Sequence, residues 1–169
     1  MSFPLGEVGP CQVSFKGVVL GYTKGGTTFE PKEESVNITY DQTGKTVQNV
    51  IGMGGSAQVK TALANPSLAI LQPLICGATI DADGMIVVAS AGVDKRATMA
   101  GELIMTIMDG ALPSADPDKA LVLFKAVPTF GASWKFDDSS QRATDITFDA
   151  LPDDASGNVG GMWRVGNPA

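Results

Sequence analysis

No histidine occurs anywhere in the chain. A Ser-His-Asp or Cys-His system has no imidazole to carry its proton, and a His-ligated zinc site has no ligand. The two cysteines, Cys11 and Cys76, are too few for a four-sulfur site. Carboxylates, lysines and hydroxyls are what remains for chemistry. Thr79-Ile80-Asp81-Ala82-Asp83-Gly84 places oxygen donors ahead of a glycine, as a calcium loop does. With Gly84 as the sixth loop position, Ser90 falls at the twelfth, where a bidentate Glu is required. The segment reads instead as a hairpin turn with Asp-Gly at its tip, leading into a strand over Met85–Ser90. Gly52-Met53-Gly54-Gly55-Ser56 has the glycines of a phosphate loop but lacks the Gly-Lys-Ser/Thr ending and the strand–loop–helix setting. Asp137-Asp138 and Asp153-Asp154 are paired acids of the kind used in glycoside hydrolysis or metal binding. Adjacent residues on a strand point to opposite faces, so neither pair converges by itself, and both read as solvated turns. Trp134 and Trp163 could stack on a ligand; with no cleft motif nearby they read as core or interface anchors. No enzyme, cofactor or metal site is expected.

Composition narrows the class further. The 169 residues suit one domain, with 44% hydrophobic residues for a core of ordinary size. Charged residues make up 18%, below the usual level of about 25%. Twenty glycines and ten prolines indicate many turns and few long helices. No run of about 18 apolar residues is present to span a membrane. Met1-Ser2-Phe3-Pro4-Leu5-Gly6-Glu7 has neither the basic start nor the apolar centre of a secretion signal, so Cys11 and Cys76 are expected as buried thiols in a reducing compartment. Eighteen acids against twelve bases leave a net charge of −6. That disfavours tight, sequence-independent binding to DNA or to an anionic membrane, both of which need Lys/Arg clusters.

The elements that must position these residues are mostly strands. Val13, Phe15, Val18 and Leu20 alternate with smaller or polar residues, with a phase shift at Gly17 that suggests a bulge. Gly25-Gly26 supplies positive φ for a tight reversal. Ser35–Tyr40 alternates cleanly, with Val36, Ile38 and Tyr40 on one face. Asp41-Gln42-Thr43-Gly44 carries turn chemistry, and the Gly-rich stretch through Ser56 reads as loop. Ala57–Leu63 is a strand. Asn65-Pro66 opens a short helix with Leu68, Leu71 and Ile75 on one face and Pro73 limiting its length. Further strands are expected at Met99–Met108, Ala120–Val127, Ala132–Phe136, Ile146–Leu151 and Met162–Val165, with a connection over Leu112–Lys119. About eight strands and one short helix imply an antiparallel β-sandwich or a partly closed β-barrel.

Two stretches carry a family likeness. Lys16-Gly17-x-x-Leu20-Gly21-x-Thr23-Lys24-Gly25-Gly26 resembles the opening of the major tail tube proteins of long-tailed bacteriophages, of the sipho or myo type. Asp145–Leu151 running into Ala150-Leu151-Pro152-Asp153, followed by a short closing segment around Met162–Val165 with Gly166 behind it, is similar to their far end. The resemblance implies a structural virion protein: one tail-tube domain over 1–169, six copies closing into a ring whose neighbouring sheets join as a continuous inner β-barrel, and rings stacking into a hollow tube that conducts DNA from capsid to host. It also implies partners: other copies of the chain, the tape measure, tail terminator, baseplate or tip and possibly sheath proteins, and DNA that passes without specific binding. Synthesis and assembly would take place in the host cytoplasm. A long projecting loop at Asp41–Ser56 is the candidate inter-ring contact, with Asp41, Gln42, Thr43, Gly44, Lys45, Gly52, Met53, Gly54 and Gly55 as its residues. A bore must not bind phosphate, and six copies at −6 each suit that, the repulsion acting over about a Debye length of roughly 10 Å. A tube protein of a phage-like secretion or contractile injection machine would share this architecture. A small-ligand-binding β-barrel is the alternative from a different class.

Overall fold

The computed structural model describes residues 9–41, 44–88, 96–131, 143–155 and 160–166. The chain opens with β1 (Cys11–Phe15) and β2 (Val18–Val19), an antiparallel pair in which Phe15 faces Val18. Lys16 and Gly17 between them both have positive φ, +51° and +77°, the geometry of a two-residue hairpin turn. Gly17 is therefore turn, not the expected bulge. Gly25-Gly26 makes the opposite correction. They lie inside β3 (Thr23–Ile38), where the register passes from Thr23 against Leu63 to Thr27 against Thr61. β3 advances four residues there while its partner advances two, so the glycines absorb a bulge and the strand continues. That partner is β4 (Asn49–Ala64), as long as β3 at 16 residues.

Asn65 has φ of +52° and turns the corner after β4. The helix α1 (Leu68–Leu71) is capped at Ser67, not Asn65, and tightens into a 3-10 turn over Gln72–Leu74 that contains Pro73. Leu71 and Leu74 are its buried residues, whereas Leu68, expected on the packing face, is exposed. A small separate ladder follows, β5 (Ala78–Ile80) against β6 (Ile86–Val88). The remaining strands are β7 (Gly101–Asp109), β8 (Leu112–Pro113), β9 (Ala120–Phe130), β10 (Ala143–Ala150) and β11 (Trp163–Val165). The strand expected over Ala132–Phe136, with Trp134, Asp137 and Asp138, lies outside the described residues.

All ladders are antiparallel, and the main sheet runs β2-β1-β7-β9-β10-β4-β3. β11 joins β9 on the side where β10 also pairs, and β8 pairs with β7. Among the described residues the sheet does not close: β2 and β3 stand at the two ends of this order. The chain is thus mostly β and antiparallel, as expected, with one short helix and a sheet not closed into a barrel.

The pairing sorts side chains into faces, because directly opposed residues point the same way. Phe29, Val59, Phe148 and Pro128 form one row across four strands, and Phe15, Leu103 and Leu123 another. These rows meet in one core, together with Val13, Leu20, Leu63, Leu74 and Ile146. Phe15 and Phe148 stand three strand spacings apart, about 14 Å in a flat sheet. Their ring centroids are 5.3 Å apart. The sheet therefore curls over its own apolar face. A register shift between β7 and β9, where Leu103 faces Leu123 but Gly101 faces Ala126, supplies a bulge at the place such bending needs one. The other face is polar across β3, β4 and β10 and carries buried Val122 and Val127 on β9. Gln58 Nε2 donates to Asp149 Oδ1 at 2.7 Å, and Lys60 Nζ donates to Glu30 Oε2 at 2.8 Å.

Candidate functional site

The Gly-rich segment assigned to a projecting loop is mostly strand. Gly52, Met53, Gly54 and Gly55 lie on β4, and Ser35–Ile38 lie opposite on β3. What projects is the far half of a hairpin. Asp41, Gly44 and Lys45 lie in its connection, while Gln42 and Thr43 lie outside the described residues. Every described residue from 44 to 56 is exposed. The glycines have work within the ladder. A Cβ on Gly55 would stand 2.9 Å from the carbonyl oxygen of Lys32, so that position admits no side chain without a backbone shift. Gly54 has φ of +110° beside a register break: Glu34 faces Gly54, but Ser35 faces Gly52, leaving Met53 as the extra residue of a bulge. Past the bulge Val36 pairs directly with Ile51, and Val50 shares a row with Asn37 on the other face. Val36, Ile51 and Met53 are 48%, 47% and 65% exposed.

Among the described residues two sheet edges have no partner strand, and β3 is the longer of them. Pro31 interrupts its hydrogen-bonding capacity, which an edge strand tolerates and a central strand does not. Lys32, Glu33 and Glu34 follow, all exposed. Lys60, by its hydrogen bond and its charge, holds the Glu30 carboxyl below the usual glutamate range. The other edge is β2. It presents Val18, Val19 and, just beyond, Tyr22, the last 87% exposed. A hollow of about 570 Å³ opens beside it, lined in part by Cys11, Val19, Tyr22 and Met108. Sequence reading missed this edge.

A second hollow, of about 460 Å³, lies where the hairpin leaves the body, between the Gly54-Gly55 stretch and Met162-Trp163. Trp163 packs edge-on against Phe29 at 5.2 Å, so it serves as an anchor at the rim of the core. The Asp81 segment is a hairpin turn as expected. Asp81 Oδ1 accepts from the N–H groups of Asp83 and Met85, at 3.0 and 2.8 Å, and the turn joins β5 to β6. Asp153 likewise caps its own turn by accepting from Ala155 N–H, and its backbone bridges to Gly161. Among the described residues no three Cys, Asp or Glu side chains gather as a metal site. Cys11 and Cys76 are both free and half-buried. Among the described residues no helix is long and apolar enough to cross a membrane. No family model matches the chain, and no curated protein matches it. Among the described residues the surface features that stand out are two sheet edges without a partner strand and a hairpin that carries exposed apolar side chains away from the core.

Proposed function

We propose that the chain is a tube-forming structural subunit, the major tail tube protein of a long-tailed phage. Six copies close into a ring, and rings stack into a hollow tube for DNA within the virion tail. The observation that carries this reading is the open, curled sheet, which ends in two unpaired edges and extends one of them as a 16-residue hairpin strand. An exposed edge of that length invites another strand unless something covers it. Heterologous pairing of unlike edges closes into a ring when the rotation per subunit divides the circle. The projecting hairpin, with Val36, Ile51 and Met53 exposed, is then the natural reach toward the next ring. Association with tape measure, terminator and tip proteins follows from the same reading, as does passage of DNA without specific binding. A tube of a phage-like secretion or injection machine fits the same geometry and differs in cargo. A ligand-binding barrel fits less well, because the sheet does not close.

The test is negative-stain electron microscopy of the purified chain at high concentration, with light scattering on a sizing column. Hollow rings or filaments with a bore are expected. A companion variant replaces residues 35–53 by a two-residue Asn-Gly turn, joining Glu34 to its partner Gly54. It should keep the thermal transition of the body and lose stacking. A chain that stays monomeric at every concentration and with every candidate partner refutes the proposal.

A further inference from the structure

Resting on the tube reading, we infer that the outer half of the β3–β4 hairpin docks by one face into the hollow at the β2 edge of another copy, the next one along the stack. Register tells the two faces of the hairpin apart. Within the body, Phe29 and Val59 are opposed on the core side. Glu30 with Gln58, and Lys32 with Ser56, are opposed on the polar side. Beyond Glu34, β3 advances one residue while β4 advances two, so the extra residue belongs to β4 and the alternation of β3 is unbroken. Val36 and Ile38 therefore project from the side of Glu30, Lys32 and Glu34, not from that of Phe29. Ile51 joins Val36 there as its direct partner. The apolar side of the strand has changed over. Since this face is turned away from the subunit's own core, bending the hairpin inward would not cover it.

The cover must come from another molecule. Val36 and Ile51 are 48% and 47% exposed, and Tyr40 and Val47, at the far end of the hairpin, are 56% and 45% exposed. With Ile38 among them, about half of five large side chains stands free, on the order of 400 Å², whereas a monomer rarely exposes a patch larger than a few hundred Å². A standard interface takes roughly 800 Å² from each partner, about 60% of it apolar, so this face comes close to what a second copy needs. The body offers a matching surface in the hollow of about 570 Å³ lined in part by Cys11, Val19, Tyr22 and Met108. The hollow at the root of the hairpin suits an apolar face less well, being bordered by Lys32, Glu33 and Glu34. A subunit's own hairpin does not reach its β2-edge hollow. Thr23 lines that hollow, and Val36 lies far along the same strand. At about 3.3 Å per residue, and allowing for the bulge at Gly25-Gly26, the strand holds Val36 roughly 35–40 Å away. Docking is therefore head-to-tail: each copy gives one hairpin and receives another, and the contact repeats along the stack.

The experiment reads the concentration at which half the protein sediments as assemblies. Val36→Ser/Ile51→Ser should raise it by more than about tenfold, and so should Tyr22→Ser in the hollow. Both changes strike one contact, so the combination should lie within about threefold of the worse of the two. Val50→Ser is the control. It sits on the opposite side of the hairpin at 55% exposure and should stay within about threefold of the unmodified chain. All of these side chains are substantially exposed in the single subunit, so each variant should keep its thermal transition. A benzoylphenylalanine photo-crosslinker in place of Tyr40, in an otherwise unmodified chain, gives a readout that does not depend on weakening the assembly. It should capture a peptide from residues 10–23 or 106–112 of another copy. Suppose the unmodified chain forms stacked tubes. If Val50→Ser then matters as much as Val36→Ser/Ile51→Ser, if neither side of the hairpin matters, or if the crosslinker captures another hairpin or any other surface, the inference is overturned while the tube reading stands. If the unmodified chain never assembles, the tube reading fails and takes this one with it.

Discussion

The curl of the sheet decides where its two edges end up, and it rests on Phe15 and Phe148 touching across two intervening strands. Both are almost fully buried, Phe15 at 2% and Phe148 at 0% exposure. Phe148→Ala should cost about 3–5 kcal/mol, a large part of the roughly 5–15 kcal/mol that holds a domain folded. At about 2–4 °C per kcal/mol for a chain of this size, the melting temperature should fall by roughly 6–20 °C. Such a loss would follow from any buried phenylalanine, so the decisive measurement is the coupling. Phe15→Leu, Phe148→Leu and the double variant keep most of the volume and should each stay folded, a volume-conserving change costing under about 1.5 kcal/mol. Urea unfolding of the four proteins closes a double-mutant cycle. A tilted ring pair at 5.3 Å should give a coupling of about 0.5–1.5 kcal/mol. Independent sites add to within about 0.3–0.5 kcal/mol. A coupling below that floor means the rings do not meet, and the curled sheet, with the edge placement derived from it, is wrong.

Two further predictions concern the hairpin and its base. Glu30 should titrate below the ordinary glutamate value of 4.5 in a carbon-detected NMR titration, and Lys60→Ala should bring it back up. Because the folded value is the lower one, the pair's stabilising contribution is present above pH 4.5 and is lost as pH falls through the folded value; a midpoint unmoved by Lys60→Ala would refute the assignment. Gly55→Ala should speed amide exchange across Lys32–Ile38, because its Cβ meets the Lys32 carbonyl at 2.9 Å, whereas Gly52→Ala, with nothing within 4 Å and an ordinary φ, should leave exchange unchanged; equal behaviour of the two variants would show that the close approach is not real.

Met99–Met108, Ala120–Val127 and Ile146–Leu151 fell on β7, β9 and β10; apolar content marked the first two, and the alternation of Ile146 and Phe148 the third. Alternation also marked Ser35–Ile38 on β3, although that stretch is mostly exposed. Asn49–Gly55 has no buried face, so nothing in its side chains marks it as strand, and its glycines suggested loop; only the 16-residue partner opposite holds it extended. Gly17 and Gly25-Gly26 show the limit of reading glycine. Positive φ was inferred at Gly25-Gly26 and is found there and at Gly17, but a turn and a bulge both use such angles, and which one forms depends on the partner strand. Residues 41–56 were read as a projecting loop, and from Asn49 onward they are strand paired with β3. The β2 edge was not anticipated, because an edge is a property of strand order, and order is set by pairs such as Cys11 with Ile107 that no local pattern encodes.

The same strand order has a consequence for how the chain is made. β3 and β4 are adjacent in sequence and can zip as soon as both leave the ribosome. The far side of β4, however, pairs with β10, Ala64 against Ala143, and β1 waits for β7. At a synthesis rate of about 5–20 residues per second, the apolar row of Val59 and Leu63 is without its β10 neighbour for roughly 4–16 s. Non-local pairing of this kind also folds slowly once the chain is complete. A cell producing many copies therefore holds a pool of half-built sheets with bare strands, which is the state most exposed to strands joining one another out of turn.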